Sequence, residues 1–207
     1  MGTKNNELNI AAQSDEYLKN ITHFGEEDPG DIVKDIIKLK KTGTVLDLGV
    51  GYGRNALFLA RQGFSVVGVD TSELAIIRFR EFAEGLGVEV RGIVEDMAKF
   101  KFDKKYDVIL SIATLNLIKR EEANELIQKI KVNTEDGGLN AISVFTELVP
   151  SEGISFLYKK NELKNIYRGW QIINYNEHRT SIHKHENWPP HRHTNANLLT
   201  RKTQNSS

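Results

Sequence analysis

The sequence predicts an α/β fold built on a doubly wound, mostly parallel sheet. Short apolar, β-favouring runs alternate with segments whose apolar residues recur at helical spacing, which is typical of parallel strands covered by helices on both faces. The last two runs are joined by a turn rather than a helix, so they should pair as a hairpin and make one strand antiparallel. Three glycines spaced two apart, Gly49, Gly51 and Gly53, follow the first run and predict a tight turn at the start of a helix.

The composition limits the partners and the compartment. The 207 residues suit one domain, and 28 basic against 28 acidic residues give a net charge of zero, which disfavours nucleic acid and anionic membrane surfaces as partners. The sequence has no cysteine, which excludes disulfides and thiolate chemistry. No apolar run reaches the roughly 20 residues that a bilayer requires, and the polar first residues do not resemble a signal peptide. We therefore expect a cytoplasmic monomer or homodimer with a small-molecule substrate.

Three regions are predicted along the chain. Residues 1–30 form an N-terminal tail, in which Tyr17, Leu18 and Phe24 lie at helical spacing and form either a lid over the ligand or ordinary helix packing. Residues 31–202 form the main domain, and residues 203–207 are expected to be a disordered tail.

Seven runs are predicted as strands because their residues favour β structure and turn residues bound them. These strands cover residues 44–48, 64–70, 88–94, 106–111, 139–145, 170–175 and 196–201.

The intervening helices are predicted from apolar periodicity and from their caps. Asp28 and Pro29 have the residue types of a cap and a first-turn proline, the run of residues 71–73 starts the third helix, and Asn161 caps a short helix. Residues 133–138 are predicted as a turn. The helices run through about residues 32–39, 56–60, 73–84, 120–132 and 161–166.

Acidic residues accompany the ends of the predicted strands, where doubly wound sheets bind their ligands. Asp70 ends the second strand and can accept both hydroxyl hydrogens of a ribose. Asp96 follows the third strand and offers an acceptor to an adenine amino group, with the backbone N–H of Met97 available to a ring nitrogen. The pattern predicts an adenosine-containing ligand.

The spacing of the glycines separates two classes of such ligands. A dinucleotide turn usually reads G-x-G-x-x-G and places a pyrophosphate at the helix N-terminus, whereas this turn reads G-x-G-x-G with Asp47 two residues ahead of it. A carboxylate facing the turn repels a pyrophosphate and suits the cationic amino group of S-adenosylmethionine. The alternative interpretation is that Asp47 and Asp70 only cap the turn and the next helix.

The run from Asp47 to Ala60 resembles the first motif of class I S-adenosylmethionine-dependent methyltransferases. Its Gly-Arg-Asn continuation resembles the tellurite-resistance (TehB-type) branch, and the likeness covers most of the chain from about Asp31 onward. Later segments recur in the order of that branch, namely residues 106–111, 137–140, 162–163, 167, 169–170, 175–177 and 199–202.

This resemblance implies both a fold and an activity. The fold would be the Rossmann-like class I methyltransferase fold, a seven-stranded sheet with an antiparallel last strand. The cofactor would be S-adenosylmethionine, with S-adenosylhomocysteine as its product. The acceptor would be a small soft nucleophile, with tellurite and selenium oxyanions as the associated substrates.

The resemblance also implies a catalytic histidine followed by a basic residue just after the sixth strand. His183 and Lys184 match that position, with lysine where arginine is usual. Arg192 is an approximate counterpart of a later arginine of the branch, and Val50 stands where the branch often has cysteine.

Five of the six histidines lie between His178 and His193. This segment can line the acceptor site, with protonated imidazoles holding an oxyanion or one neutral imidazole acting as a general base. It can instead bind zinc or another borderline metal, or be a solvated turn. We adopt the first interpretation and assume no metal. The candidate catalytic residues are therefore His183, Lys184, His185, His191, Arg192 and His193.

The candidate cofactor-binding residues lie on the glycine turn and at the ends of the first four strands. Among them, Ser111 and Ile112 are expected near the transferring methyl group. The full set is Asp47, Gly49, Val50, Gly51, Gly53, Arg54, Asn55, Asp70, Thr71, Asp96, Met97, Ser111 and Ile112.

Three functions follow from these observations. The leading prediction is a methyltransferase that uses S-adenosylmethionine to methylate a tellurite or selenium oxyanion or a small thiol-like acceptor. The first alternative is an NAD-dependent oxidoreductase. The second is a non-catalytic, histidine-rich module that binds a metal or senses a cofactor.

Overall fold

The computed structural model describes residues 28–146, 154–179 and 194–204, together with the backbone of residues 183–185 and 188–191. The predicted lid residues Tyr17, Leu18 and Phe24 lie outside the described residues. Backbone contacts divide the chain into two compact units, with the boundary between Phe100 and Lys101.

The first unit contains a three-stranded parallel sheet in the order β3-β2-β1. Leu46 of β1 lies opposite Val67 of β2, and Gly68 of β2 lies opposite Gly92 of β3. Its elements are α1 (Asp31–Leu39), β1 (Thr44–Leu48), α2 (Arg54–Arg61), β2 (Ser65–Asp70), α3 (Glu73–Gly85) and β3 (Val90–Val94).

The core of this unit forms where apolar strands meet the apolar faces of the helices. Strands β1 and β2 are buried along nearly their whole length, because parallel strands covered on both faces have no solvent side. Helix α1 contributes Ile32, Val33 and Ile36, which lie on one face of the helix and are all buried.

The second unit contains four strands in the order β4-β5-β9-β6. Strands β4 and β5 are parallel, and β9 is antiparallel to both of its neighbours, β5 and β6. Its elements are β4 (Tyr106–Ile112), a 3₁₀ turn (Leu115–Leu117), α4 (Arg120–Val132), β5 (Thr134–Phe145), α5 (Glu162–Ile166), β6 (Gln171–Arg179), β7 (His183–His185), β8 (Trp188–His191) and β9 (Thr194–Arg201).

The predicted fold class is confirmed. The main sheet has seven strands and is mostly parallel, with an antiparallel last strand. The connection between β6 and β9 carries a small antiparallel hairpin, β7–β8, where the sequence predicts only a turn.

Strand β5 begins at Thr134, although residues 133–138 are predicted as a turn. Thr134 lies opposite Tyr106, and the register then shifts before Val108 pairs with Leu139, so the turn-like residues form an irregular extension of the strand. Two backbone hydrogen bonds with Lys202 hold this extension. The Gly137 N–H donates to the Lys202 carbonyl at 3.1 Å, and the Lys202 N–H donates to the Gly138 carbonyl at 2.9 Å. Tertiary pairing therefore overrides the local turn signal.

Two predicted caps differ from the structure. Helix α1 begins at Asp31 with Gly30 as its N-cap, so Asp28 and Pro29 precede the helix, and Asp28 instead pairs with Lys34. Asn161 does occupy the N-cap of α5, but its φ of 60° is left-handed and its side chain makes no cap hydrogen bond. Its N–H donates to the Glu177 carboxylate at 2.6 Å, so a contact with β6 determines its conformation.

Candidate functional site

The glycine turn between β1 and α2 adopts a backbone that other residues rarely adopt. Gly49, Gly51 and Gly53 have φ values of 82°, 54° and 92°. The N–H groups of Gly49 and Val50 both donate to the Val69 carbonyl, at 2.8 and 3.0 Å, and the Gly53 N–H donates to the Val50 carbonyl at 3.0 Å. The turn is therefore tied to the end of β2.

Asp70 strengthens this tie with its side chain. One carboxylate oxygen accepts the Gly51 N–H at 2.9 Å, and the other accepts the Ser72 N–H at 3.0 Å. The Ser72 hydroxyl accepts the Ala75 N–H at 3.0 Å, so Ser72 is the N-cap of α3, within the run predicted to start this helix. Asp70 thus links β2, the glycine turn and α3, while its role toward a ribose stays a prediction.

Asp47, on β1, is a buried carboxyl group with only 3% of its surface exposed. No donor in the part of the chain that the structure describes forms a hydrogen bond with it. The pKa of Asp47 is raised to about 7, mainly by burial and secondarily by the negative charge of Asp70, while the positive charge of Arg54 opposes both. A buried carboxyl group is complementary to a cationic group.

Asp96 lies just beyond β3 and remains partly accessible. Its Oδ1 accepts the Ala98 N–H at 2.9 Å, and its Oδ2 lies 3.6 Å from the Lys99 ammonium. The Glu95 N–H donates to the Asp70 carbonyl at 2.9 Å, so the end of β3 is held against the end of β2. Met97, next in the chain, is buried.

The remaining candidates of the first unit occupy different environments. Asn55 is buried, and its side-chain oxygen accepts the Gly30 N–H at 3.1 Å, so it holds the segment that leads into α1. Val50 is also buried, whereas Arg54 and Thr71 are half-buried. The contact between Asn55 and Gly30 has no signal in the sequence.

In the second unit, Ser111 and Ile112 end strand β4 as predicted. The Ser111 hydroxyl is fully buried and hydrogen-bonded to the Thr114 hydroxyl at 2.8 Å. Ala113, which lies between Ser111 and Thr114 in the chain, has a left-handed φ of 59°. This conformation costs free energy in a residue other than glycine.

Asn116 is a buried polar residue that the sequence analysis missed. Its amide group donates to the carbonyls of Phe145 and Phe156 and accepts the Phe145 N–H, at 3.2, 2.8 and 2.8 Å. It therefore joins the end of β5 to the segment that begins at residue 154. The only available signal was a single polar residue within an apolar run.

Between Arg179 and Thr194, the structure describes only the backbone of residues 183–185 and 188–191. Strands β7 and β8 pair with His183 opposite His191 and His185 opposite Trp188, so the two histidine-bearing arms are paired. The side chains of His183, Lys184, His185 and His191, and the whole of Arg192 and His193, lie outside the described residues, and their catalytic roles stay predictions.

The described residues contain no group of three or more histidine, cysteine, aspartate or glutamate side chains arranged to hold a metal ion. Within the same residues, no helix has the length and apolar character needed to cross a membrane.

The sequence profile of the family described as tellurite resistance protein TehB matches residues 11–191. A relative from Haemophilus influenzae, named as a probable S-adenosyl-L-methionine-dependent methyltransferase TehB, is 34% identical over 158 residues, covering 75% of this chain and 55% of the relative. The chain therefore spans about half the length of the curated relatives that it matches.

Solved structures agree with this match. The crystal structure of TehB from Haemophilus influenzae has a TM-score of 0.76 and 31% identity, covering 83% of this chain and 61% of that chain. Magnesium protoporphyrin IX methyltransferase from Synechocystis PCC 6803, solved with bound S-adenosylmethionine, has a TM-score of 0.68 over 96% of this chain and 97% of that chain, and its 17% identity supports the fold alone. The predicted resemblance is confirmed, and the chain belongs to the TehB family, whose relatives from Haemophilus influenzae are named as probable S-adenosyl-L-methionine-dependent methyltransferases.

Proposed function

We propose that this protein is an S-adenosylmethionine-dependent methyltransferase whose acceptor is a small soft nucleophile, either a tellurite or selenium oxyanion or a small thiol. The observation that carries the proposal is the buried Asp47 carboxyl group beside the left-handed glycine turn. It supports a ligand with a positive charge at this position, and the amino group of the methionine moiety has that charge. Membership of the TehB family supports the same cofactor.

The same observation disfavours the NAD-dependent oxidoreductase. A dinucleotide places two phosphate charges at the turn, and a carboxyl group that is already buried near Asp70 would oppose them. The glycine spacing points in the same direction, because it lacks the third glycine of the dinucleotide pattern.

In the proposed mechanism the chain mainly binds and orients the cofactor and the acceptor. Asp47 would form an ion pair with the amino group of the methionine moiety. Asp70 would accept hydrogen bonds from the ribose hydroxyls, and Asp96 would accept one from the adenine amino group. When bound, S-adenosylmethionine supplies an electrophilic methyl group on a sulfonium. The chain holds the acceptor in line with that methyl group and excludes water, because transfer requires the reacting atoms to lie about 3 Å apart.

The acceptor site is assigned to the histidine segment. We place His183 and Lys184 nearest the acceptor, with His185, His191, Arg192 and His193 lining the site. Protonated imidazoles and the two basic side chains would hold an oxyanion and direct its lone pair to the methyl group. A thiol acceptor would instead need one neutral imidazole as a general base.

Calorimetry on purified, cofactor-free protein tests the proposal first. We expect stoichiometric binding of S-adenosylhomocysteine and no comparable binding of NADH. A screen with methyl-labelled cofactor against tellurite, selenite and small thiols then identifies the acceptor class. No binding of either S-adenosyl compound would refute the proposal, and retained stoichiometric zinc without methylation of any acceptor would favour the metal-binding alternative.

A further inference from the structure

Phe79, on α3, is fully buried and lies against three glycines from three different elements of the first unit. A Cβ atom added at Gly53 would lie 2.3 Å from the Phe79 ring, and one added at Gly68 would lie 2.8 Å from it. At Gly92 the corresponding distance is 3.5 Å. The ring therefore occupies space that side chains on the glycine turn and on β2 would need.

The contact at Gly53 is the tightest of the three, and it falls on the last glycine of the turn. Gly53 is also the N-cap of α2, with a left-handed φ of 92°, and its carbonyl accepts the Leu57 N–H at 2.7 Å. A shift of Gly53 would therefore move both the turn and the first hydrogen bond of α2. Among the side chains around the Cβ position of Gly53, the Phe79 ring lies nearest, ahead of Leu57 at 3.1 Å.

The neighbouring turn residue is held by the same face of α3. Tyr52 packs against Ala75 and Phe82, and the Tyr52 and Phe82 rings meet edge to face with centroids 6.3 Å apart. Ala75, Phe79 and Phe82 follow one another at helical spacing, so they lie on one stripe of α3. This stripe contacts consecutive residues of the turn, Tyr52 and Gly53.

The start of α3 is tied to the turn independently. The Asp70 carboxylate accepts the N–H groups of both Gly51 and Ser72, so the N-terminus of α3 and the middle of the turn share one side chain. Helix α3 thus holds the turn by hydrogen bonds at its first residues and by an aromatic ring two turns later.

We propose that Phe79 is a positioning residue for the cofactor, because its ring holds Gly53 and thereby fixes the backbone on which the cofactor rests. The identity of the bound cofactor rests on the proposed function, whereas the contact between Phe79 and the glycine turn does not. The Phe79 ring adds a packing reason for glycine at the third position of G-x-G-x-G, beside the left-handed φ of 92° at Gly53.

The test compares Phe79→Ala and Phe79→Leu with Leu126→Ala, a truncation of a fully buried residue on α4 in the second unit. We expect Phe79→Ala to weaken S-adenosylhomocysteine binding at least tenfold by calorimetry, Phe79→Leu to regain most of that loss, and Leu126→Ala to change binding less than twofold. Hydrogen exchange at the Gly51 and Gly53 amides should accelerate in Phe79→Ala and remain unchanged in Leu126→Ala.

These readouts separate the inference from the proposed function. If the unsubstituted protein binds no S-adenosylhomocysteine, the proposed function fails, and amide exchange alone decides the role of Phe79. Turn amides that exchange in Phe79→Ala as they do in Leu126→Ala would overturn the inference, as would equal affinities of those two variants for the ligand. If Phe79→Ala does not fold, Phe79→Leu must show both effects at reduced size, and their absence overturns the inference.

Discussion

At the scale of single residues, the buried Asp47 carboxyl group makes the stability of the protein depend on pH. Its pKa is raised to about 7 from 3.8, mainly by burial, so the folded protein binds a proton there more tightly than the unfolded chain does. The contribution of Asp47 to stability is therefore most favourable below about pH 4. It becomes less favourable as the pH rises to about 7 and is constant above that pH.

Asp47→Asn removes this pH dependence and tests it directly. Without ligand we expect the variant to equal the parent near pH 4 and to gain free energy of unfolding as the pH rises. At pH 8 the gain is at most about 4 kcal/mol, since one pKa unit corresponds to about 1.4 kcal/mol. Urea denaturation at pH 4, 6 and 8 measures it, and a difference that does not vary with pH would contradict the assignment.

Asp47→Asn should stabilise the protein without ligand but lower its affinity for the ligand. An amide cannot form an ion pair with the amino group, so Asp47→Asn should weaken S-adenosylhomocysteine binding by tenfold or more at pH 8. The unsubstituted protein should release a proton on binding near pH 6, which calorimetry in buffers of different ionisation enthalpy detects. Absence of proton release would argue against a cation beside Asp47.

Asp70 and His183 should affect different steps of the reaction. Asp70→Ala removes the acceptor for the Gly51 N–H as well as the proposed ribose contact, so it should raise the dissociation constant of the cofactor more than it lowers turnover. His183→Ala should lower turnover far more than cofactor affinity. Equal effects of both variants on the two quantities would contradict this division of roles.

At the scale of elements, Arg120 joins the start of α4 to the segment that leads into α5. Its guanidinium donates to the Glu162 carboxylate and to the Leu157 carbonyl, both at 2.6 Å, and it lies 4.4 Å from the centre of the Phe156 ring. These contacts combine a charged hydrogen bond with stacking, so the residue contributes through packing as well as charge.

Arg120→Met should therefore lower the free energy of unfolding by roughly 1–3 kcal/mol, because methionine leaves the Leu157 carbonyl and the Glu162 carboxylate without this donor. Arg78→Met is the matched control, since Arg78 and Glu81 form a pair 2.7 Å apart in which both side chains are about half exposed. That control should change stability by less than about 0.5 kcal/mol. Equal losses in the two variants would contradict the role of Arg120.

At the scale of the whole molecule, the proposed cofactor should stabilise the folded state. At a concentration one hundred times its dissociation constant, S-adenosylhomocysteine adds about 2.7 kcal/mol. For a chain of this length that corresponds to a rise in Tm of roughly 5–10 °C. NADH at the same concentration should give no rise, and a larger rise with NADH would instead favour the oxidoreductase alternative.

Much of the fold was predictable because its signals are local. The apolar runs of β1, β2 and β4, the start of α3 near residues 71–73 and the boundaries of α4 all follow from residues within a few positions of one another. The glycine turn was equally predictable, because glycine adopts left-handed φ values without the free-energy cost that other residues carry.

The errors arose where distant contacts outweigh local preference. Residues 134–138 have the composition of a turn, but pairing of Thr134 with Tyr106 and backbone hydrogen bonds to Lys202 make them part of β5. The buried position of Asn116 was not predicted, because its three hydrogen-bond partners are backbone groups of Phe145 and Phe156, about 30 and 40 residues away.

The sequence by itself determined the fold class, the family and the position of the glycine turn, since strand periodicity, glycine spacing and motif order are properties of neighbouring residues. Only the tertiary structure decided that the Asp47 carboxyl group is buried, that Asp70 holds Gly51, and that Phe79 lies behind Gly53. The physical reason is that burial and close packing depend on residues brought together by folding. At the glycine turn, those residues lie on two different strands, β1 and β2, and on helix α3.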